Sequence, residues 1–230
     1  MNIFEERYKR QRIMPYFNDQ KQNAIHNSCI GVVGCGGLGS LNILYLASLG
    51  IGNLILIDDD KVSLSNLNRQ IIHDESSIGQ FKVDSAYHRV KELNSTINMK
   101  VYRERLTYNN CRDVLKECDI IVDAVDNINT RKLLDDYTCK YNIPIVFAAV
   151  EGFHGFIYPK PSNQFPRYSS IFKYTENEKK EIGVYGAGVG IVSSIQCNEV
   201  IKLIGNTNNI TNIICIDMLS DSFGITRLEV

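Results

Sequence analysis

Asp58 closes the apolar run Leu54 to Ile57, and Asp126 closes a second apolar run, Ile120 to Val125. A carboxylate at the tip of a strand is placed to accept hydrogen bonds from a ribose hydroxyl. Upstream, Gly34, Gly36, Gly37 and Gly39 sit in the hexapeptide GCGGLG, where glycine lets the backbone approach a phosphate closely. The apolar segment that follows is long enough for a helix, whose amide-rich end would face that phosphate. Lys82 falls in the first turn of a further helix, where a cation is mildly unfavourable unless an anion lies nearby. Together these residues describe a nucleotide site. They do not name the nucleotide or the reaction, and a dehydrogenase would carry the same turn and the same Asp58.

Each residue also has a plainer role. Asp58 could cap a loop, Lys82 and Arg69 could be solvated, and Asp126 could be the N-cap of the next helix.

The elements that must position these residues alternate. Ile30–Val33 reads as a strand, Leu38 onward as a helix, and Leu54–Ile57 as the next strand, the first unit of a βαβ nucleotide-binding fold. Lys61 to Gln70 is too polar and irregular for a strand and reads as a loop leaving the sheet edge. Val83, Ala86, Tyr87, Val90 and Leu93 recur at helical spacing. Lys100–Tyr102 reads as a strand, Asn110–Glu117 as a short helix, Asp119–Val125 as a buried strand, Asn129–Tyr141 as a helix and Pro144–Val150 as a strand. The alternation predicts an α/β, Rossmann-like, mostly parallel sheet with helices on both faces. Beyond Glu151 the pattern changes. Gly155–Tyr158 reads as a short strand and Pro159–Gly183 as a mobile crossover loop. Ala187–Ile204 reads as a helix with Gly205 at its C-cap. Asn212–Asp217 and Gly224–Leu228 read as antiparallel strands. The expected organisation is one domain over 1–230, with a nucleotide-binding half (1–150) and a crossover loop and C-terminal half (151–230).

The 230 residues carry a formal net charge of −1, which favours neither nucleic acid nor an anionic membrane as partner. No apolar run reaches a membrane-spanning length, and MNIFEERYKRQR lacks the apolar core of a secretory signal. Seven cysteines with no C-x-x-C spacing read as packed thiols in a reducing compartment, so a cytoplasmic location is expected.

Arg7-Tyr8-Lys9-Arg10-Gln11, the GCGGLG turn and LIDDDKVSLSNLNRQ resemble the ThiF/MoeB/HesA family, bacterial relatives of the ubiquitin-activating enzymes. So do Gly79–Val83, Val122–Asn127 and Gln196–Lys202. The resemblance covers nearly the whole chain, and SNLNRQ with its spacing to Lys82 and Asp126 is its most specific part.

The resemblance implies an adenylyltransferase that uses ATP and Mg²⁺ to activate the C-terminal glycine carboxylate of a ThiS- or MoaD-like ubiquitin-fold sulfur carrier, releasing pyrophosphate. It implies Asp58 as the ribose ligand, with Asn66, Arg69 and Lys82 on the triphosphate and Gln70 beside them. Asp126 becomes the Mg²⁺-side carboxylate. Arg10 matches an arginine that reaches the partner protomer's site, which implies a homodimer. Asp60, Asn127 and Arg131 are lesser candidates for the same site.

Two features depart from the family pattern. The paired cysteines of its structural zinc site are missing: Pro166–Ile171 holds none and Cys215 stands alone, so no zinc is expected. The segment Pro159–Gly183 also lacks the cysteine that some members use for a persulfide or thioester. No covalent intermediate on the enzyme is therefore expected. No rhodanese-like extension follows, so a separate protein is expected to donate sulfur. The missing cysteines keep open a branch that adenylates peptides or other carboxylates; the short N-terminus speaks against it. A tRNA-base dehydratase is discouraged by the near-neutral charge. A dehydrogenase leaves Asn66, Arg69, Lys82 and Arg10 unexplained, and His26, His73, His88 and His154 form no catalytic pair with an acid. A non-catalytic scaffold would not be expected to keep the ATP residues.

Overall fold

The computed structural model describes residues 3–172, 183–205, 212–221 and 223–229. Eight strands form one sheet in the order β3-β2-β1-β4-β5-β6-β7-β8. They are β1 (Cys29–Val33), β2 (Asn53–Ile57), β3 (Asn98–Tyr102), β4 (Ile120–Asp123), β5 (Ile145–Glu151), β6 (His154–Lys160), β7 (Asn212–Asp217) and β8 (Gly224–Glu229). The first five run parallel, and β5 to β8 pair antiparallel. The expected sheet class is therefore the observed one.

Among the described residues eight α-helices accompany the strands: α1 (Ile3–Arg12), α2 (Asp19–Asn27), α3 (Gly37–Leu49), α4 (Lys82–Leu93), α5 (Cys111–Leu115), α6 (Ile128–Tyr141), α7 (Tyr168–Ile171) and α8 (Gly186–Leu203). The central strands read as unbroken apolar runs because both of their faces are covered. Ile30, Val32, Leu54, Leu56, Val122 and Val146 pack into one core layer with α3, α4 and α8. Val33, Ile55, Ile57, Ile121, Ile145 and Phe147 alternate with them into a second layer with α5 and α6. Among the described residues no helix is long and apolar enough to cross a membrane.

Three expectations are corrected. Pro159 and Lys160 end β6, and Tyr168–Ile171 form α7, so the front of the expected crossover loop is built structure. Asp135 holds that stretch, accepting from the Tyr168 backbone N–H at 3.1 Å and from Arg167 Nε at 3.2 Å. Residues 173–182 of the loop lie outside the described residues. The N-cap of α6 is Asn127, whose Oδ1 accepts from the Thr130 N–H at 2.9 Å; Asp126 is left exposed and outside the helix. The last helical residue is Leu203 and the cap is Ile204, with Gly205 just beyond at φ 94°, the left-handed conformation that glycine supplies there.

Candidate nucleotide site at the sheet switch point

Strand β1 connects through α3 to β2 on one side and lies beside β4 on the other, so the strand order reverses between β1 and β4. Open α/β sheets bind ligands at the carboxyl ends of the strands flanking such a point. The GCGGLG turn leaves β1 there. Gly34 has φ 97°, and a β-carbon on it would stand 2.5 Å from the Ala124 carbonyl oxygen, so the turn and the end of β4 touch backbone to backbone. A β-carbon on Gly39 would overlap the Gly34 carbonyl, so α3 starts hard against the turn. No side chain caps α3 at Gly36, which leaves its leading amides for an anion.

Asp58 leaves the end of β2. Its Oδ2 accepts from the Cys35 N–H at 2.7 Å and its Oδ1 from the Asp60 N–H at 2.8 Å. The capping role and the ligand role are thus compatible: each oxygen keeps a lone pair after holding the turn. Burial pushes the Asp58 carboxyl up, against those amides and Lys82, which pull it down.

Residues 61–81 make an excursion closed at its neck by a bridge between Lys61 and Phe81 and by the Lys82 N–H to Asp60 carbonyl bond, 2.9 Å. Two short 3₁₀ turns, Leu64–Asn66 and Glu75–Ser77, are each fixed by a capping box. In the first, Asn66 Oδ1 accepts from the Ser63 N–H at 3.1 Å, leaving Nδ2 as its remaining donor group. The loop then folds back over the start of α3. Arg69 Cγ would lie 3.8 Å from a β-carbon on Gly37, and Gln70 Nε2 3.5 Å from one on Gly36. Arg69 Nη1 is held by the Ser65 carbonyl (3.1 Å) and Asn68 Oδ1 (2.9 Å). Gln70 is buried, and its Oε1 has no partner among the described residues. The first turn of α8 arrives at the same place: a β-carbon on Gly186 would meet the Asn68 carbonyl at 2.5 Å. That helix also lacks a side-chain cap. Two uncapped helix N-termini therefore flank Arg69, a field suited to an anion.

Lys82 is not solvated. It is 6% exposed and its Nζ lies 2.8 Å from Asp60 Oδ2. Asp126, exposed just past β4, has no ion pair among the described residues. The acidic run Asp58, Asp59 and Asp60 is the one group among the described residues whose carboxylates converge closely enough to hold a cation.

Two expected site residues are not brought here. Arg131 is 8% exposed and is consumed by structure: Nε binds Asp123 Oδ2 at 2.6 Å, and Nη2 binds the Val125 carbonyl at 3.0 Å and the Ala148 carbonyl at 2.9 Å. The reason lies in the sheet. Strands β4 and β5 pair over just two residue pairs, Ile121↔Ile145 and Val122↔Val146, and then diverge. Arg131 spans the opening from the α6 face. Gln196 of α8 spans it from the other face, donating from Nε2 to the Asp123 and Val146 carbonyls, both at 2.8 Å. Arg10 is exposed on α1, which docks by the buried Tyr8 against Gly50 and by Gln11 Nε2 to the Leu49 carbonyl at 2.9 Å. That is the far end of the 13-residue α3, about 20 Å along its axis from the chain's own glycine turn.

His73 and Gln196 were not assigned work by sequence reasoning. His73 is buried between the turn and α4. Its Nε2 lies 3.0 Å from the Cys35 carbonyl, so Nε2–H donates, and Nδ1 accepts from the Ser85 hydroxyl at 2.8 Å. It pins the loop to the glycine turn. The available signal for Gln196 was an amide within the largely apolar helix Val189–Val200, a signal that Asn198 shares.

A family model described as the ThiF family matches residues 8–229. The adenylyltransferase and sulfurtransferase MOCS3-1 of Zea mays is 38% identical over 202 residues, 86% of this chain and 43% of that protein. A probable molybdopterin-synthase adenylyltransferase of Gracilaria tenuistipitata var. liui is 32% identical over 224 residues, 95% of this chain and 63% of that one. This chain thus spans less than half the length of the maize relative. The crystal structure of E. coli MccB with ATP superposes with a TM-score of 0.86 over 97% of this chain and 70% of that one, at 24% identity, which is a likeness of fold.

Proposed function

The chain belongs to the ThiF family, and on that premise we propose that it is an ATP-dependent adenylyltransferase. Its substrate is the C-terminal glycine carboxylate of a ThiS- or MoaD-like ubiquitin-fold sulfur carrier. Pyrophosphate leaves, no thioester forms on the enzyme, and a separate protein supplies sulfur. One observation carries the reading: the SNLNRQ loop folds back so that Arg69 and Gln70 lie over the uncapped start of α3, next to the Asp58 carboxylate. A dinucleotide-dependent dehydrogenase has no need of a cationic loop clamped over its glycine turn; an anion attacking a polyanion does.

The residues divide the work. A terminal carboxylate, with a pKa of roughly 3.3–3.7, is ionised at neutral pH and needs no general base. The helix N-termini and the leading amides of α3 receive phosphate oxygens. Asp58 accepts the ribose hydroxyls with the lone pairs that the Cys35 and Asp60 amides leave free. Arg69 and Lys82 offset the charge that builds on the phosphates, with Asn66 Nδ2 as a neutral donor. The Asp60 partner of Lys82 is 65% exposed, so Lys82 can trade it for a phosphate.

The uncommitted, exposed Asp126 fits a Mg²⁺ ligand, and bound Mg²⁺ would supply further neutralisation of the triphosphate. No zinc is included in this reading, and metal analysis of the purified chain checks that. The distance of Arg10 from its own site supports a homodimer in which each protomer lends Arg10 to the other. The packed thiols favour the cytoplasm.

ATP–pyrophosphate exchange tests the function. It is run without acceptor, with carriers ending in Gly-Gly, and with the same carriers lacking the last glycine. Exchange that requires the intact Gly-Gly end is expected. ATP binding without exchange would refute carrier activation and move the substrate to a peptide or another carboxylate.

A further inference from the structure

Lys160 ends β6 with its side chain in the second core layer, on the same strand face as the buried Tyr158. It is 1% exposed, yet no carboxylate pairs with it among the described residues. The nearest acid on α6, Asp135, is already satisfied by the Tyr168 N–H, the Ser169 N–H and hydroxyl, and Arg167. Among the described residues the single polar partner of Lys160 Nζ is Cys139 Sγ, at 3.1 Å, and that thiol also faces Asp135 Oδ1 at 3.9 Å. Cys139 is half-buried. Among the buried thiols, burial pushes Cys35 and Cys111 up and Cys197 to about 12.

We infer that Cys139 and Lys160 are a site of reversible oxidation, closing a sulfur–nitrogen bond between β6 and α6 when the chain meets a hydroperoxide. A thiolate beside a cation is the nucleophilic form of cysteine. Its sulfur attacks one peroxide oxygen, the O–O bond breaks, and the remaining oxygen leaves as hydroxide (water after protonation). The product is a sulfenic acid, with sulfur oxidised by two electrons and the peroxide reduced. Sulfenic acids condense with nearby nitrogen nucleophiles. Here the Lys160 amine attacks sulfur, the S–O bond breaks, and the hydroxyl leaves with one amine hydrogen as a second water. The bridge thus forms with loss of one hydrogen from each side chain. Holding the two atoms in contact favours this closure over further oxidation. The pair sits at the end of β6 that lies beside the start of β5, the opposite end of the sheet from the glycine turn.

The test is peptide mapping of the full chain by mass spectrometry after brief treatment with hydrogen peroxide, with and without dithiothreitol. The expected result is a cross-linked peptide pair joining Cys139 to Lys160, two hydrogens lighter than the sum of its parts, that dithiothreitol reopens. Mapping separates it from any disulfide, such as one between Cys29 and Cys118. Lys160→Arg is expected to lose the cross-link and accumulate sulfinic acid at Cys139. Because the wild-type chain alone decides the outcome, a poorly folded variant does not obscure it. Cys139 left unmodified, or oxidised to sulfinic acid with Lys160 free, would overturn the proposal.

Discussion

Arg131→Met separates a strand clamp from a nucleotide ligand. The substitution keeps much of the buried stem and removes the charge. Asp123, 0% exposed, would be left as an unpaired carboxylate in the sheet core. Breaking a buried pair by removing one member costs about 3–5 kcal/mol. The Val125 and Ala148 carbonyls would each lose a donor, at about 1–3 kcal/mol where no replacement reaches them. A loss of at least about 4 kcal/mol is a large part of the roughly 5–15 kcal/mol that holds a typical domain. At about 2–3 kcal/mol per molar, the urea midpoint should fall by at least roughly 1.3–2 M.

The loss should also depend on pH. Burial already pushes the Asp123 carboxyl up, with Arg131 pulling it down. Without Arg131 the folded value rises further above the unfolded one, near 3.9. A group raised on folding contributes stability that is full below its unfolded pKa and lost as pH rises through the folded one. The deficit of the variant should therefore be smallest near pH 4 and largest at neutral pH. Adding Asp123→Asn should recover part of it, because the buried charge is gone. A variant within about 1 kcal/mol of wild type at every pH, but unable to bind ATP, would refute the clamp and restore Arg131 to the nucleotide site.

Arg69→Ala and Asp126→Ala should each abolish pyrophosphate exchange while leaving the unfolding free energy from urea titration within about 0.5 kcal/mol, since both side chains make few buried contacts; near wild-type exchange in either would sink the site assignment. Arg10→Ala and Lys82→Met should each be inactive alone, yet an equimolar mixture allowed to exchange subunits should regain about a quarter of wild-type activity, because half the dimers are mixed and each carries one intact site. A mixture as inactive as its parts would refute the shared site. Burial holds the His73 imidazole below its usual 6.5. A group lowered on folding costs stability as pH falls below the unfolded value, so the chain should weaken from about pH 6.5 downward. His73→Asn should flatten that slope in urea titrations, and an unchanged slope would place its source elsewhere.

What the sequence made legible is local in the chain. The strand order, the helices between the strands from α3 to α6, the apolar stripe of α4 and the glycine turn follow from periodicity and from a few glycines over short windows, and Asp58 follows from its place at the tip of a strand; α2 and α7 are not legible in this way. What it hid depends on partners far away in sequence. Lys82 and Arg131 look alike as text: each is a cation near the start of a helix, and each was a candidate for the same phosphate. The sheet separates them by the carboxylate it gives each one. Lys82 meets Asp60, 65% exposed, while Arg131 meets Asp123, 0% exposed. An ion pair with an exposed member is weak and can be exchanged, because water or a phosphate can take over either charge. A pair sealed inside a sheet cannot, because opening it strands a charge in a medium that does not solvate it. The divergence of β4 from β5 creates the gap that Arg131 and Gln196 fill, and no window of sequence shows where two strands stop pairing. The same distinction governs Arg10. It is exposed and has no ion pair among the described residues, but α1 fastens it to the end of α3 far from its own glycine turn. If it serves a nucleotide, that nucleotide lies in another copy of the chain.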